Sequence, residues 1–298
     1  MNRLLENAYA PATHAAYQQG IAAFEAFCIK YNYKCTYPCK ADIIPHFVAH
    51  LSLSGKAFST AKTYLAALSS KHKLNSWTDP TDSFLIKKLM QGFARSSPSK
   101  DVRYPITLQR LQKIVKTLPL VCNDSFEVIL FKTAFVLAFF GFLRISELLG
   151  QNMSLKRARK AVKVADVKME PSKMSICLNG SKCDQRMKGE KIVLQRERVY
   201  TEVCPVLTTR EFLRIRPKSS EYLLVHYNSS QLTRFQFQAV LKKVAKQLGW
   251  PIQSYSSHSF RIGAATTAAM NGDSIDMIME KGRWKSSAVK NYIRLERV

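Results

Sequence analysis

The feature that most constrains this chain is an apolar run from Val128 to Leu143 in which Lys132 is the one charged residue. A segment that is apolar all round must be covered on every side, so the chain around it has to supply the cover. The run falls short of the about 18 uninterrupted apolar residues that suggest a membrane span, and it continues straight into Arg144 and Glu147. The expectation is a buried core helix, Val128–Leu149. The N-terminal stretch MNRLLENAYA lacks the apolar core of a signal peptide, and seven scattered Cys, an odd number, do not make a disulfide framework. A soluble, intracellular protein is expected.

Hydrophobic periodicity places four helices before about residue 95. The first, from about 12 to 31, carries Tyr17, Ile21, Phe24 and Phe27, and the second covers Ile43–Leu53. Ser59 or Thr60 can cap a third carrying Tyr64, Leu65 and Leu68, and Asp82 or Ser83 can open a fourth carrying Leu85, Leu89 and Phe93. Residues 95–103, polar, basic and broken by Pro98, read as a linker between domains 1–94 and 104–298. Beyond it, Thr107 caps a helix through Leu118. Short alternating segments in 163–195 suggest a small antiparallel sheet, a brief strand is expected at Tyr222–Val225, and a helix spans Arg234–Leu248. The fold class expected is mainly α with a small antiparallel β-sheet, in two domains.

The charge narrows the partners. Forty-six Lys and Arg against 21 Asp and Glu leave +25, a self-repulsion most simply explained by a polyanion. An anionic membrane surface is the other candidate, but no lipidation motif or basic amphipathic anchor supports it.

Four short segments carry candidate chemistry. In SerHisSerPheArgIleGlyAlaAla, His258 and Arg261 stand three apart and project from one helix face. A cation beside an imidazole suits a phosphate better than a core. Gly263, Ala264 and Ala265 permit close packing behind that face. Upstream, GlyPheLeuArgIleSerGluLeuLeu sets Arg144 at the mouth of the apolar helix, with Glu147 one turn on; a helix-dipole partner is the plain alternative for Arg144. AsnGlySerLysCysAspGln puts Lys182 in an expected β-turn, with Lys173, Lys188 and Lys191 as rivals in a basic region. GlyArgTrp (282–284) is followed, eight residues after Trp284, by Tyr292. Cys35, Cys39, His46 and His50 are spaced too closely for a common zinc finger and read as helix-surface and loop residues.

The order Arg, Lys, H-x-x-R, Trp, Tyr resembles the tyrosine recombinase (phage integrase) family. The wording GFLRISELL, SKCDQ, HSFRIGAATTAA, GRW and NYIR is similar to recombinases of DIRS-type retrotransposons and to the Cre branch. The resemblance implies a C-shaped clamp, a helical core-binding domain and a catalytic domain closing on double-stranded DNA. It also implies a homo-tetramer on two DNA sites, no metal and no cofactor. Location would be the nucleus for a eukaryotic element, otherwise the cytoplasm or nucleoid. The Trp284–Tyr292 spacing is one residue shorter than in the Cre branch, and six residues follow Tyr292 where many relatives carry a segment that docks on a neighbour.

The residues suit the family's chemistry. A phosphodiester is anionic and its leaving alkoxide is poor, so an enzyme without metal must supply cations, a nucleophile and an acid. Arg144 and Arg261 match the non-bridging oxygens with permanent charge. Tyr292 is the nucleophile, Lys182 the acid for the 5′-oxygen, and His258 a donor to the phosphate or a proton shuttle. Trp284 offers one uncharged N–H, and Glu147 could hold Arg144, Lys182 or His258 in place. Lys62, Lys71, Lys73, Lys87, Arg95, Lys100 and Arg103 form a candidate track for DNA phosphates. A type IB-like topoisomerase shares this chemistry, and a DNA-binding module with dispensable catalysis is the alternative from another class.

Overall fold

The computed structural model describes residues 8–96, 101–150, 161–178 and 189–298. The chain divides into two compact units, one up to Asp101 and one from Val102.

The first unit is helical: α1 (Pro11–Lys30), α2 (Ile43–Leu53), α3 (Phe58–Leu74) and α4 (Phe84–Ser96). The third helix begins ahead of the expected caps, with Ala57 at its N-cap and no side-chain cap. Ser83 does cap α4, its Oγ accepting from the Ile86 N–H at 3.3 Å, and α4 carries Arg95 and Ser96 into the segment expected to be linker. The core is aromatic, with Phe24 edge-on to Phe47 at 5.2 Å between centroids. Gly20 lets α1 approach α3, since a Cβ there would lie 3.0 Å from the Tyr64 Cα. His72 is fully buried; its Nδ1 donates to the Leu68 carbonyl at 2.8 Å and its Nε2 accepts from the Cys39 N–H at 2.9 Å. Cys39 is itself buried rather than on the surface. Among the described residues no three His, Cys, Asp or Glu group as a metal site.

The second unit comprises α5 (Leu108–Thr117), α6 (Ser125–Phe140), α7 (Ile145–Leu148), β1 (Val167–Met169), β2 (Lys173–Leu178), β3 (Glu190–Gln195), α8 (Pro205–Ile215), α9 (Arg234–Gln247), α10 (His258–Met270) and α11 (Ile275–Gly282). A 3-10 helix, Ser287–Tyr292, follows. Thr107 caps α5, accepting from the Arg110 N–H. Helix α6 is the apolar run, and Leu130, Phe131 and Ala134 to Phe139 on it are buried. Each large apolar side chain buried there contributes about 1.5–3 kcal/mol. Lys132 snorkels to Glu211 on α8, 3.4 Å away.

The apolar helix stops at Phe140 rather than Leu149. Phe142 takes a left-handed φ of +48°, and Leu143 N–H bonds back to the Ala138 carbonyl, the pattern that closes a helix C-terminus. Gly141 is required here, because a Cβ would sit 2.9 Å from the Leu137 oxygen. The chain leaves extended through Arg144, which stands at the N-cap position of α7 without a side-chain cap. The sheet is antiparallel in the order β1-β2-β3, with Ile176 opposite both Val167 and Ile192. Met174, Ile176 and Leu178 turn to the core. Tyr222–Val225 is not a strand; only the isolated bridges Lys163–Tyr222 and Val225–Gln231 form there. No helix among the described residues is long and apolar enough to cross a membrane.

Candidate active site

Helix α10 runs through the middle of the second unit, with Ser259 to Thr266 buried in sequence. Gly263 makes this possible. The Ile106 backbone passes directly over it, a Cβ would lie 1.7 Å from the Ile106 oxygen, and the Ile106 N–H donates to the Ser259 carbonyl at 3.0 Å. At the helix N-terminus His258 is half-buried, while Arg261, one turn on, is fully buried.

Arg261 is held by neutral partners. Nη1 donates to the Phe142 carbonyl and Nη2 to the Gly282 carbonyl. Carbonyls orient a guanidinium without neutralising it. Burial, then the positive charge of Arg144, pull Arg261 well below the usual guanidinium range, with Glu147 opposing them. A buried cation in that state gains from an arriving anion. Its Nε is buried with no hydrogen-bond partner, and so is the Trp284 Nε1. The Arg283 Nε is in the same state, and buried donors left open call for a reason.

Helix α11 ends at Arg283, whose φ of +57° turns the chain so that Trp284 N–H bonds back to the Met279 carbonyl at 2.9 Å. The indole folds onto Gly282, where a Cβ would lie 1.5 Å from the ring. The Arg261 guanidinium carbon stands 4.3 Å from the indole centroid, a cation–π contact. Tyr292 closes the arrangement, its ring 4.9 Å from Trp284 and 5.0 Å from His258. Thr266 fixes that segment from α10: its Oγ1 accepts from the Arg294 N–H at 3.1 Å and shares its own proton between the Ile262 carbonyl at 2.9 Å and the Tyr292 carbonyl at 3.2 Å.

Arg144 arrives from α7. Its N–H donates to Glu147 Oε2 at 2.9 Å and its Nη1 to Oε1 at 2.7 Å. The second partner of Glu147 is Arg283, whose Nη2 lies 2.9 Å from Oε2. Burial alone would raise the Glu147 carboxyl, but Arg283 and then Arg144 outweigh it and hold it below the usual range. Of the three partners expected for Glu147, Arg144 pairs with it, and Lys182 lies outside the described residues. Arg283 was missed; its only sign in the sequence is its place in GlyArgTrp.

Arg144, His258, Arg261, Trp284 and Tyr292 thus converge, although about 150 residues separate the first from the last. Lys182 lies outside the described residues, as does Lys100. Among the other DNA-contact candidates, Lys62 and Arg95 are exposed. Lys71 sits 3.3 Å above the Tyr37 ring, Lys73 pairs with Asp79 at 3.2 Å and Lys87 with Asp82 at 2.8 Å. Arg103 lies in the second unit, its carbonyl accepting from Arg294 and Arg297.

No curated protein sequence matches the chain. Solved structures share its fold. The XerH site-specific recombinase bound to palindromic difH substrate gives a TM-score of 0.66 at 15% identity, over 93% of this chain and 74% of that one. A lambda integrase dimer bound to a COC′ core site gives 0.64 at 15% identity, over 98% and 74%. The Tn1549 transposon integrase in complex with circular intermediate DNA gives 0.55 at 13%, over 86% and 81%. In sequence, the phage integrase family matches residues 106–297, a span that includes every one of the converging side chains. The chain belongs to the phage integrase family, the tyrosine recombinases.

Proposed function

We propose that this enzyme cleaves and rejoins DNA strands through a covalent bond between Tyr292 and a 3′-phosphate. The observation that carries the reading is the packing of the Tyr292 ring between His258 and Trp284, with Arg261 stacked on the same indole. A phenol needs cations nearby to ionise and a phosphodiester needs them to accept attack; Arg144 and Arg261 serve both. The phenolate oxygen forms a bond to phosphorus as the bond to the 5′-oxygen breaks. The phenol proton passes to His258 or to water, and the departing 5′-oxygen takes a proton from an acid, the role the family motif gives Lys182. Reversal by the 5′-hydroxyl of a partner strand completes the exchange, with the same number of phosphodiester bonds before and after. That balance needs no ATP, and because side chains supply the charge stabilisation, cleavage should survive excess EDTA.

Duplex DNA, contacted by Lys62, Arg95 and the other basic residues, accounts for the +25 charge. The Lys73 side chain and the whole Lys87–Asp82 pair are exposed, so phosphates can compete for both lysines. A lambda integrase tetramer bound to a Holliday junction also shares this fold, with a TM-score of 0.62. That likeness supports four copies acting on two sites through a four-way junction, and the Tn1549 likeness supports a role in moving a mobile element.

The test is Tyr292→Phe on DNA. The variant should bind duplex as the parent does and form no covalent adduct, since only the hydroxyl is gone. A phosphotyrosyl adduct persisting in it would identify another nucleophile. Strand exchange between two duplexes, assayed beside supercoil relaxation, separates a recombinase from a topoisomerase.

A further inference from the structure

Arg283 occupies a left-handed position, φ +57°, that an L-residue adopts at a cost and glycine adopts freely. Its side chain is 7% exposed, so neither the backbone nor solvation explains an arginine there. Its donors all turn inward. Nη1 donates to the Gly141 carbonyl at 3.0 Å, Nη2 lies 2.9 Å from Glu147 Oε2 and 3.5 Å from the Phe142 oxygen, and Nε lies 3.3 Å from Glu190 Oε2 without a hydrogen bond.

Three of these four partners, Gly141, Phe142 and Glu147, share one property. Gly141 and Phe142 make the turn that ends α6 and delivers Arg144. The Phe142 carbonyl is also one of the two that hold Arg261, and the Gly282 carbonyl next to Arg283 is the other. Glu147, gripped at Oε2 by Arg283, grips Arg144 through Oε1 at 2.7 Å. Arg283 therefore braces what positions each phosphate-facing arginine, while donating its own hydrogen bonds to protein groups. Its charge also offsets Glu147, which would otherwise draw more of the Arg144 charge away from a ligand.

We propose that Arg283 is a positioning residue for strand cleavage: it locks Glu147 and the 141–142 turn so that Arg144 and Arg261 meet the non-bridging phosphate oxygens together. This rests on the reading of those two arginines as phosphate binders.

The test uses the full chain and a nicked duplex recovered from a randomised pool by covalent capture on the parent protein. The duplex is then made with either a phosphate or a methylphosphonate at the scissile position. A methylphosphonate replaces one charged oxygen by methyl and so relaxes the need for two aligned cations. Arg283→Gly relieves the backbone and removes the brace together with the Glu190 contact. It should bind the phosphate duplex within about 3-fold of the parent and cleave it about 100-fold more slowly in a single turnover. On the methylphosphonate duplex it should come within about 5-fold of the parent, and Arg283→Lys should restore part of the phosphate rate. Unchanged cleavage of phosphate by Arg283→Gly overturns the proposal. Equal loss on both duplexes overturns it too, by marking a merely structural role. Arg144→Ala, run alongside, tests the underlying reading on its own: if it does not distinguish the two duplexes, or if the parent captures no DNA, Arg144 does not bind the phosphate as read.

Discussion

Replacing Glu147 by Gln removes one negative charge from a side chain that is 1% exposed and lies between two guanidiniums at 2.7 and 2.9 Å. Gln keeps the volume and one acceptor, but its amide NH2 would face an arginine. Removing one partner of a buried ion pair costs about 3–5 kcal/mol. Gln retains a carbonyl, and the Arg144 side chain is 20% exposed and can recover water, so the lower end applies, about 3 kcal/mol. For a unit of this size that lowers Tm by about 6–12 °C. The pH dependence adds a second signature. Glu147 is held below its ordinary range in the folded state, so its contribution is complete above the unfolded pKa and is lost as pH falls through the folded one. The stability gap between parent and Glu147→Gln, measured by urea unfolding at stepped pH, should therefore be widest near neutrality and close in acid. A gap below about 1 kcal/mol at pH 7, the value of an exposed pair, would refute this account, as would a gap that does not change with pH.

Gly263→Ala should destabilise by about 3 kcal/mol through the clash with Ile106, although the same change in an exposed helix gains about 1 kcal/mol; thermal unfolding distinguishes the two signs. In the first unit, burial alone would raise Asp79, but Ser69, Thr81 and Lys73 hold it at about 2 against an ordinary 3.8. Its contribution of about 2 kcal/mol is present above pH 3.8 and lost as pH falls toward 2, so Asp79→Asn should be less stable at pH 7 and match the parent near pH 2. A difference that persists at the lower pH would contradict this. If Lys182 protonates the 5′-oxygen, Lys182→Ala should cleave ordinary DNA about 10²–10⁴-fold more slowly and recover on a 5′-bridging phosphorothiolate, which needs no acid. Equal impairment on both substrates would move that role to Lys173, Lys188 or His258.

Local signals in the chain were sufficient for much of this protein. Periodicity located Ile43–Leu53 to the residue, and Thr107 marks a helix start because a cap acts within three residues of itself. The alternation around Met174 to Leu178 marked the strand that anchors the sheet. Arg144, His258, Arg261, Trp284 and Tyr292 were legible because each sits in a short motif whose order along the chain is itself informative. The tertiary structure alone decided what depends on partners far apart in sequence. Helix α6 stops at Phe140 because the left-handed Phe142 and the close contact at Gly141 end it, where hydrophobicity alone ran on to Leu149. Glu147 could be seen as a support but not assigned, since its second partner, Arg283, lies 136 residues away. Gly263 read as a generic small residue until Ile106, from another segment, was found lying on it. Spacing within a motif reports which face a side chain takes; which group meets it across the core is set by packing, and packing has no local signature.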